Sequence, residues 1–238
     1  ARRVKKQYHD LGLEVDGRPI GYADEPGDAS VKNFREQYDI YQREGFTLEI
    51  AGHGSIYRKA AYCHSDVMIA TRPEDGDTPR RWNEIGLANV SWYAYNHNST
   101  ENPGYTRRQY GLTPWLAGFS AIKNNVHAFG PYNDRARTTY KPFVDSYADG
   151  RSHITTLQFE GKREGIDDIR YATLLRRLAR KAAASPDYRV ANRGRIALQF
   201  FADIESTLDD PAALRREMIR HILDLLPLTG GDTEGARS

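Results

Sequence analysis

The sequence predicts an α/β fold, read as the C-terminal portion of a (β/α)8 TIM barrel with about five strands and extra C-terminal helices. Three observations lead there. Strand-like runs alternate with helix-like runs from about residue 18 to residue 132, the pattern of parallel strands with helices packed outside them. No Gly-rich phosphate fingerprint follows any of these strands, which weighs against a nucleotide-binding open sheet, the other architecture that the alternation allows. Three predicted strand ends, at Asp24-Glu25, Tyr95-Asn96-His97-Asn98 and Gly130-Pro131-Tyr132-Asn133, gather acids, aromatics and amides, as the C-terminal face of a barrel does. A closed barrel needs eight strands, so the remaining ones would come from upstream chain or from another segment.

The elements follow in order. "RPIGYAD" reads as a strand closed by Pro26 and Gly27. Asp28 caps a helix to about Glu44, with Val31, Phe34, Tyr38 and Tyr41 on one face, and Gly45 is placed to end it. "FTLEIAG" is the second strand, and a short helix around "SIYRKAAY" leads to the third, "SDVMIATR". "TPRRWNEIG" is a short helix, "ANVSWYAY" the fourth strand, "YTRRQYGLTPWLAGFSAIK" helix-like, and "NNVHAFGPY" the fifth strand. Residues 132–155 are polar and without period; a long helix is expected from about Gly165 to Ala184, with Asp167 and Asp168 at its N-terminus and Arg180 and Lys181 at its C-terminus, as the helix dipole favours. A helix over "VANRGRIALQFFADIEST" follows. The last one opens at Asp210-Pro211 and runs through Leu214, Met218, Ile222 and Leu225. The expected division is a barrel portion over 1–184, an appended helical segment over 185–229 and a flexible tail over 230–238.

Bulk composition excludes several classes. With 238 residues, 39% hydrophobic, 28% charged and a net charge of +2, the chain is neither disordered nor a strongly basic nucleic-acid binder. The arginine runs "RRLARK" and "RVANRGR" read as solvated helix faces or as phosphate sites. The lone Cys63 excludes an internal disulfide framework and leaves the compartment open. No apolar run reaches the roughly 20 residues of a membrane span. The opening "ARRVKKQYHD" has neither an initiator Met nor a signal-peptide core, so the chain reads as processed, trimmed or excerpted from something longer.

Adjacent strand residues face opposite ways, so Asp24 and Glu25 share a site only where the strand ends or bends, as Pro26 and Gly27 make it do. Two acids held close push their pKa values apart, leaving one protonated as an acid and one ionised to stabilise positive charge. Glycoside cleavage needs that division. The plainer reading is that both acids open a solvated loop and cap the next helix. Of the other strand-end groups, Tyr95 could hold a substrate acetamido carbonyl or belong to the core, and Asn96 could bind a sugar hydroxyl or close a turn. Trp92 and Trp115 could stack on sugar or fill the core, His53 is a ligand contact or a hydrogen-bonded loop residue, and Tyr132 stands at the fifth strand end. The seven histidines, His53 and His64 included, show no metal spacing, and Ser55 lacks the spacing of a nucleophile elbow; no metal or cofactor is expected. Arg163, Glu164 and Asp168 read as an ion-pair and capping cluster rather than a substrate contact.

The order of motifs resembles a known family. "GYADEP", then "VSWYAYNHNSTENPGYTRRQYGLTPWLAGFSAIKNNVHAFGPYN", then "EGKREGIDDIRYATLLRR" is similar to the C-terminal part of glycoside hydrolase family 123 and the related domain of unknown function 4091, over about residues 18 to 184. The aromatic strand here leads into "NHNSTENPG" rather than a Pro-rich loop, and the floor strand "HAFGPYN" lacks the family's tryptophan. The resemblance implies a (β/α)8 barrel and hydrolysis of β-linked N-acetylhexosaminides of galactosamine or glucosamine type. It makes Glu25 the general acid and Asp24 the carboxylate that orients the substrate's own 2-acetamido nucleophile, a substrate-assisted route outside the two-carboxylate geometry. It implies an extracellular or periplasmic setting and an oligo- or polysaccharide as partner, with no nucleic acid. The alternative expectation is a non-catalytic carbohydrate-binding or scaffold barrel within a larger assembly.

Overall fold

The computed structural model describes residues 1–14, 19–24, 28–52, 67–69, 77–84, 90–94, 102–124, 146–148, 152–204 and 210–230. Two compact units divide the chain: Ala1–Asn96 with Pro114–His127, and His97–Thr113 with Ala128–Ser238.

The first unit opens with helix α1 (Arg2–Asp10) and continues through β1 (Pro19–Asp24), α2 (Asp28–Arg43), β2 (Thr47–Gly52), β3 (Val67–Ile69), α3 (Asp77–Glu84) and β4 (Val90–Ala94). After α4 (Pro103–Gln109), which belongs to the second unit, α5 (Leu112–Leu116) spans the division and β5 (Ala121–Asn124) completes a wholly parallel sheet in the order β1-β2-β3-β4-β5. The (β/α)8 barrel expected from the sequence is not the fold. The described chain is mostly helical, and none of its strands exceeds six residues. Closing a barrel requires its first and last strands to pair at matched tilt and stagger. Among the described residues β1 pairs only with β2 and β5 only with β4, so the two do not close the sheet.

Glycine sets the two sharp entries into this sheet. Gly45 has φ of 87°, and its N–H donates to the Gln42 carbonyl while that of Phe46 donates to Tyr41, which ends α2 in a Schellman turn. Phe46 closes the turn by packing edge-on against Tyr41 and, from α1, Tyr8, each with ring centroids 6.2 Å away. Gly118, also at φ of 87°, repeats the device after α5: its N–H reaches Trp115 and that of Phe119 reaches Pro114. The chain then turns directly into β5, with the Ser120 N–H on the Val90 carbonyl at 2.9 Å. This is why the helix-like run expected over 105–123 breaks into α4, α5 and a strand. It is also why the fifth strand lies at Ala121–Asn124, ahead of the stretch 124–132 expected for it and sharing only Asn124 with it. Tyr38, Phe46, Ile50, Trp82, Val90, Trp92 and Phe119 form the buried apolar set of this unit. At Pro19, where the strand begins on a sheet edge, the missing N–H costs no ladder bond.

The second unit contains α4, an antiparallel ladder of β6 (Ser146–Ala148) and β7 (His153–Thr155), and three long helices, α6 (Leu157–Ala183), α7 (Tyr188–Asp203) and α8 (Pro211–Leu225), followed by a 3-10 turn at Leu226–Leu228. The ladder lies in the polar stretch 132–155, to which the sequence assigned no period. Helix α6 begins eight residues before the expected Gly165, because Thr156 caps it by accepting from the Phe159 N–H. Asp167 and Asp168 therefore lie in its interior, not at its N-terminus. Gly161 and Gly165 stay inside the helix because α4 occupies the space their side chains would take. A Cβ would stand 2.5 Å from the Pro103 carbonyl oxygen at Gly161 and 2.5 Å from that of Arg107 at Gly165. Helices α7 and α8 carry Asp187 and Asp210 as N-caps, the latter before Pro211 as expected. The seam Leu214, Met218, Ile222 and Leu225 is buried, each side chain contributing about 1.5–3 kcal/mol. Among the described residues no helix is long and apolar enough to cross a membrane.

Two predictions follow from the helix contacts. A Cβ on Gly194 of α7 would lie 2.3 Å from the Ala183 backbone nitrogen. Gly194→Ala should therefore lower the unfolding free energy in urea by about 2–3 kcal/mol, although propensity alone favours alanine by about 1 kcal/mol. A neutral or stabilising result would rule out this close approach of α6 and α7. His221 of α8 lies with its ring 5.3 Å from that of Phe200 on α7. Burial, then the Arg220 charge, holds its pKa below the ordinary 6.5, outweighing the opposing pull of Glu217 and Asp224. The neutral ring is the form that packs, so its contribution is complete above about pH 6.5 and is lost as pH falls toward the lowered folded value. Melting curves of His221→Phe should lose that part of the decline between pH 7 and 5.

Candidate functional site

In a wholly parallel sheet every strand finishes on the same edge, and ligands bind outside that edge. The register keeps each end within two residues of its neighbour's along that edge. Asp24, last in β1, pairs with Ala51; Gly52, last in β2, pairs with Ile69, last in β3. Ile69 pairs in turn with Trp92, and Ala94, last in β4, with Asn124, last in β5. Of the site residues expected from the sequence, Asp24 is on this edge. Glu25 follows β1 in the chain, His53 follows β2, and Tyr95 and Asn96 follow β4; all four lie outside the described residues, as does Tyr132. Trp92 is in the strand body and 4% exposed, so it is a core residue with no ring face open to a sugar. Trp115, in α5, is half-buried.

The second unit holds a polar cluster that the sequence disclosed only in part. Asp168 is at the centre, its side chain 1% exposed. Arg107 of α4 grips it with both forks, Nε donating to Oδ2 at 2.6 Å and Nη2 to Oδ1 at 2.9 Å. Arg215 of α8 donates from Nε to Oδ1 at 2.6 Å, from Nη1 to Glu164 Oε2 at 2.6 Å and from Nη2 to the Glu164 carbonyl at 2.7 Å. Burial pulls the Arg215 pKa down, but the bonds to Asp168 and Glu164 outweigh it and hold it above the ordinary arginine value. The remaining Arg107 bond, at 3.2 Å, goes to the Pro211 carbonyl at the start of α8. Two carboxylates balance two guanidiniums, and together they tie three helices.

The cluster expected at Arg163, Glu164 and Asp168 is thus an ion-pair centre without a capping role. Arg163 stands at its exposed rim, bonded at 2.8 Å to Glu160 and at 3.5 Å to Glu164. The arginines that matter, Arg107 and Arg215, come from distant sequence. The usable signal was spacing: Gln158, Gly161, Gly165, Asp168, Ala172, Leu175, Ala179 and Ala182 form one buried seam of α6, which places Asp168 inside rather than on a polar face. Beside it, the buried Thr106 and Gln158 bond side chain to side chain at 2.5 Å, and Lys162 Nζ lies 4.2 Å from the centroid of the Tyr110 ring. Among the described residues no group of three or more His, Cys, Asp and Glu side chains could hold a metal ion.

Asp168 is committed to structure, since its oxygens face two fixed cations and no free space. Asp168→Asn should cost roughly 3–5 kcal/mol in chemical denaturation, because it leaves the two guanidiniums short of a countercharge in a dry site. A cost under about 1 kcal/mol, that of an exposed pair, would contradict the burial described. No protein-family model matches the chain, and no curated protein matches it.

Proposed function

We propose that the strand-end edge of the parallel sheet serves a glycoside hydrolase reaction on β-linked N-acetylhexosaminides. One observation supports this reading above others: β1 ends at Asp24, on the edge where parallel sheets bind ligands, with Glu25 the next residue in the chain. The reading needs that edge and not a closed barrel.

In this mechanism Glu25, protonated, gives its proton to the leaving glycosidic oxygen. The carbonyl oxygen of the substrate's 2-acetamido group attacks the anomeric carbon as the bond to the leaving group breaks, closing a ring on the sugar. Asp24, ionised, aligns the acetamido N–H and balances the positive charge that develops on ring closure. Glu25, now a carboxylate, takes a proton from the water that reopens the ring.

The test compares aryl β-glycosides of N-acetylgalactosamine and N-acetylglucosamine with their non-acetylated counterparts, using the complete protein. Cleavage should be confined to acetamido sugars, and Glu25→Gln should lower kcat by about 10²–10⁴-fold. Asp24→Asn should lose kcat while leaving KM nearly unchanged, since its charge acts on the developing transition state. Equal cleavage of non-acetylated sugars would remove the acetamido group from the mechanism. Glycan binding with no cleavage of any substrate would make the edge a carbohydrate-binding site alone.

A further inference from the structure

On α7, Arg193, Ile196, Phe200 and Asp203 recur at spacings of three and four residues, so they form one stripe along the helix. Ile196 is 54% exposed, Arg193 and Asp203 are exposed, and Phe200 is half-buried. On α8, Glu217, His221 and Asp224 recur in the same way. The rings of Phe200 and His221, with centroids 5.3 Å apart, set the two stripes side by side. Apolar and aromatic groups thus occupy the middle of a face whose ends on α7 carry opposite charges, Arg193 and Asp203, ten residues or about 15 Å apart.

The two helices run antiparallel. Gly194 lies against Ala179 and Ala183, and α7 runs back along α6 from there, so Phe200 is level with about Leu175. Helix α8 meets Asp168 of α6 through Arg215 and reaches Phe200 through His221, six residues later. It therefore runs with α6 and against α7. Some of the charges on this face are engaged: Glu217 pairs with Arg220, and Asp203 accepts from Gln199 Nε2 at 3.0 Å. Arg193 and Asp224 make no ion pair among the described residues.

We propose that this face of α7 and α8 is where two copies of the chain meet, about a two-fold axis that crosses α7 between Ile196 and Phe200. A stripe with a cation at one end and an anion at the other matches itself only when turned end for end, and a two-fold axis does that. It sets Ile196 of each copy on Phe200 of the other, and Arg193 of each copy opposite Asp203 of the other. Because Phe200 is level with His221 and α8 runs the opposite way, the same axis crosses α8 between His221 and Asp224. Asp224 of one copy then meets the imidazole of His221 of the other. One axis satisfies both helices, a match that a second copy supplies and an unrelated partner has no reason to. A net charge of only +2 on each chain leaves little overall repulsion to oppose it. The strand-end edge of the sheet takes no part in this contact, which therefore stands apart from the reaction proposed above.

Sedimentation equilibrium of the complete protein tests this, and should show a monomer–dimer equilibrium that shifts with concentration. Arg193→Glu and Asp203→Arg, each alone, should raise the dimer dissociation constant by at least about tenfold, because each turns two ion pairs per dimer into like-charge contacts. Mixing the two single variants should bring the constant back to within about threefold of wild type, since in the mixed dimer every cation again faces an acid. Arg195→Glu, on the other flank of α7 where the guanidinium lies 5.6 Å from the Tyr188 ring centre, should leave it within about twofold. Should either charge variant unfold, as its thermal midpoint will show, Ile196→Ser replaces it and should weaken the dimer in the same direction. A protein still monomeric at about 0.1 mM, single variants that dimerise as wild type does, a mixture no tighter than its components, or equal weakening by Arg195→Glu would each overturn the proposal.

Discussion

The second unit depends on a single buried carboxylate. Asp168 lies on the seam of α6, where it meets Arg107 from α4 and Arg215 from α8. Small residues alone would let these helices approach closely but would not fix where along α6 the others stop. Gly161, Gly165 and Gly111 make the contact of α4 with α6 nearly featureless, backbone against backbone. A bidentate salt bridge next to that contact supplies the missing register. Sliding α4 by one turn would pull Arg107 off Asp168 and leave a largely buried guanidinium without its carboxylate, a cost far above that of shifting an apolar seam. The third bond of Arg107, to the Pro211 carbonyl, carries the same register to the first turn of α8.

In the first unit the constraint is backbone geometry rather than charge. Two positive-φ glycines, Gly45 and Gly118, stop helices abruptly and deliver the chain into β2 and β5. Hydrogen bonding then does the rest. The registers linking Asp24 to Ala51, Gly52 to Ile69, Ile69 to Trp92 and Ala94 to Asn124 keep neighbouring strand ends within two residues of one another along one edge. The buried Trp82, Val90 and Trp92 hold the sheet from its faces, and so Trp92 is spent on packing.

What was legible in the sequence was whatever local chemistry decides. The cap Asp210, the stop at Gly45 and the α8 seam each sit within a few residues of the element they control, and β1, β2 and β4 show clear apolar runs. What was not legible depends on partners distant in sequence. Gly161 and Gly165 look like helix breakers until α4 is placed against them. "SAIKN" looks like a helix tail until β4 offers it a ladder. Closure of the sheet is the largest such case, since strand alternation is common to open and closed parallel sheets and nothing local distinguishes them. For the candidate site, the strand-end position of Asp24 could be read from "IGYADEPG", because proline and glycine mark the end. The burial of Trp92 could not, because an aromatic strand alternates in the same way whichever face is filled.

The two sets of acids in this chain therefore have different fates for a physical reason. Asp168 has its lone pairs filled by guanidinium donors in a dry site, so taking up a proton would break bonds that hold three helices together. A general acid must gain and lose a proton in each turnover without disturbing its scaffold, which confines it to places where the backbone is already satisfied and the side chain is not. The ends of parallel strands meet that requirement: their ladder bonds lie behind them, and the next residues are released from pairing. Asp24, the last residue of β1, occupies such an end, whereas the ion pairs of Asp168 lie inside the helical unit.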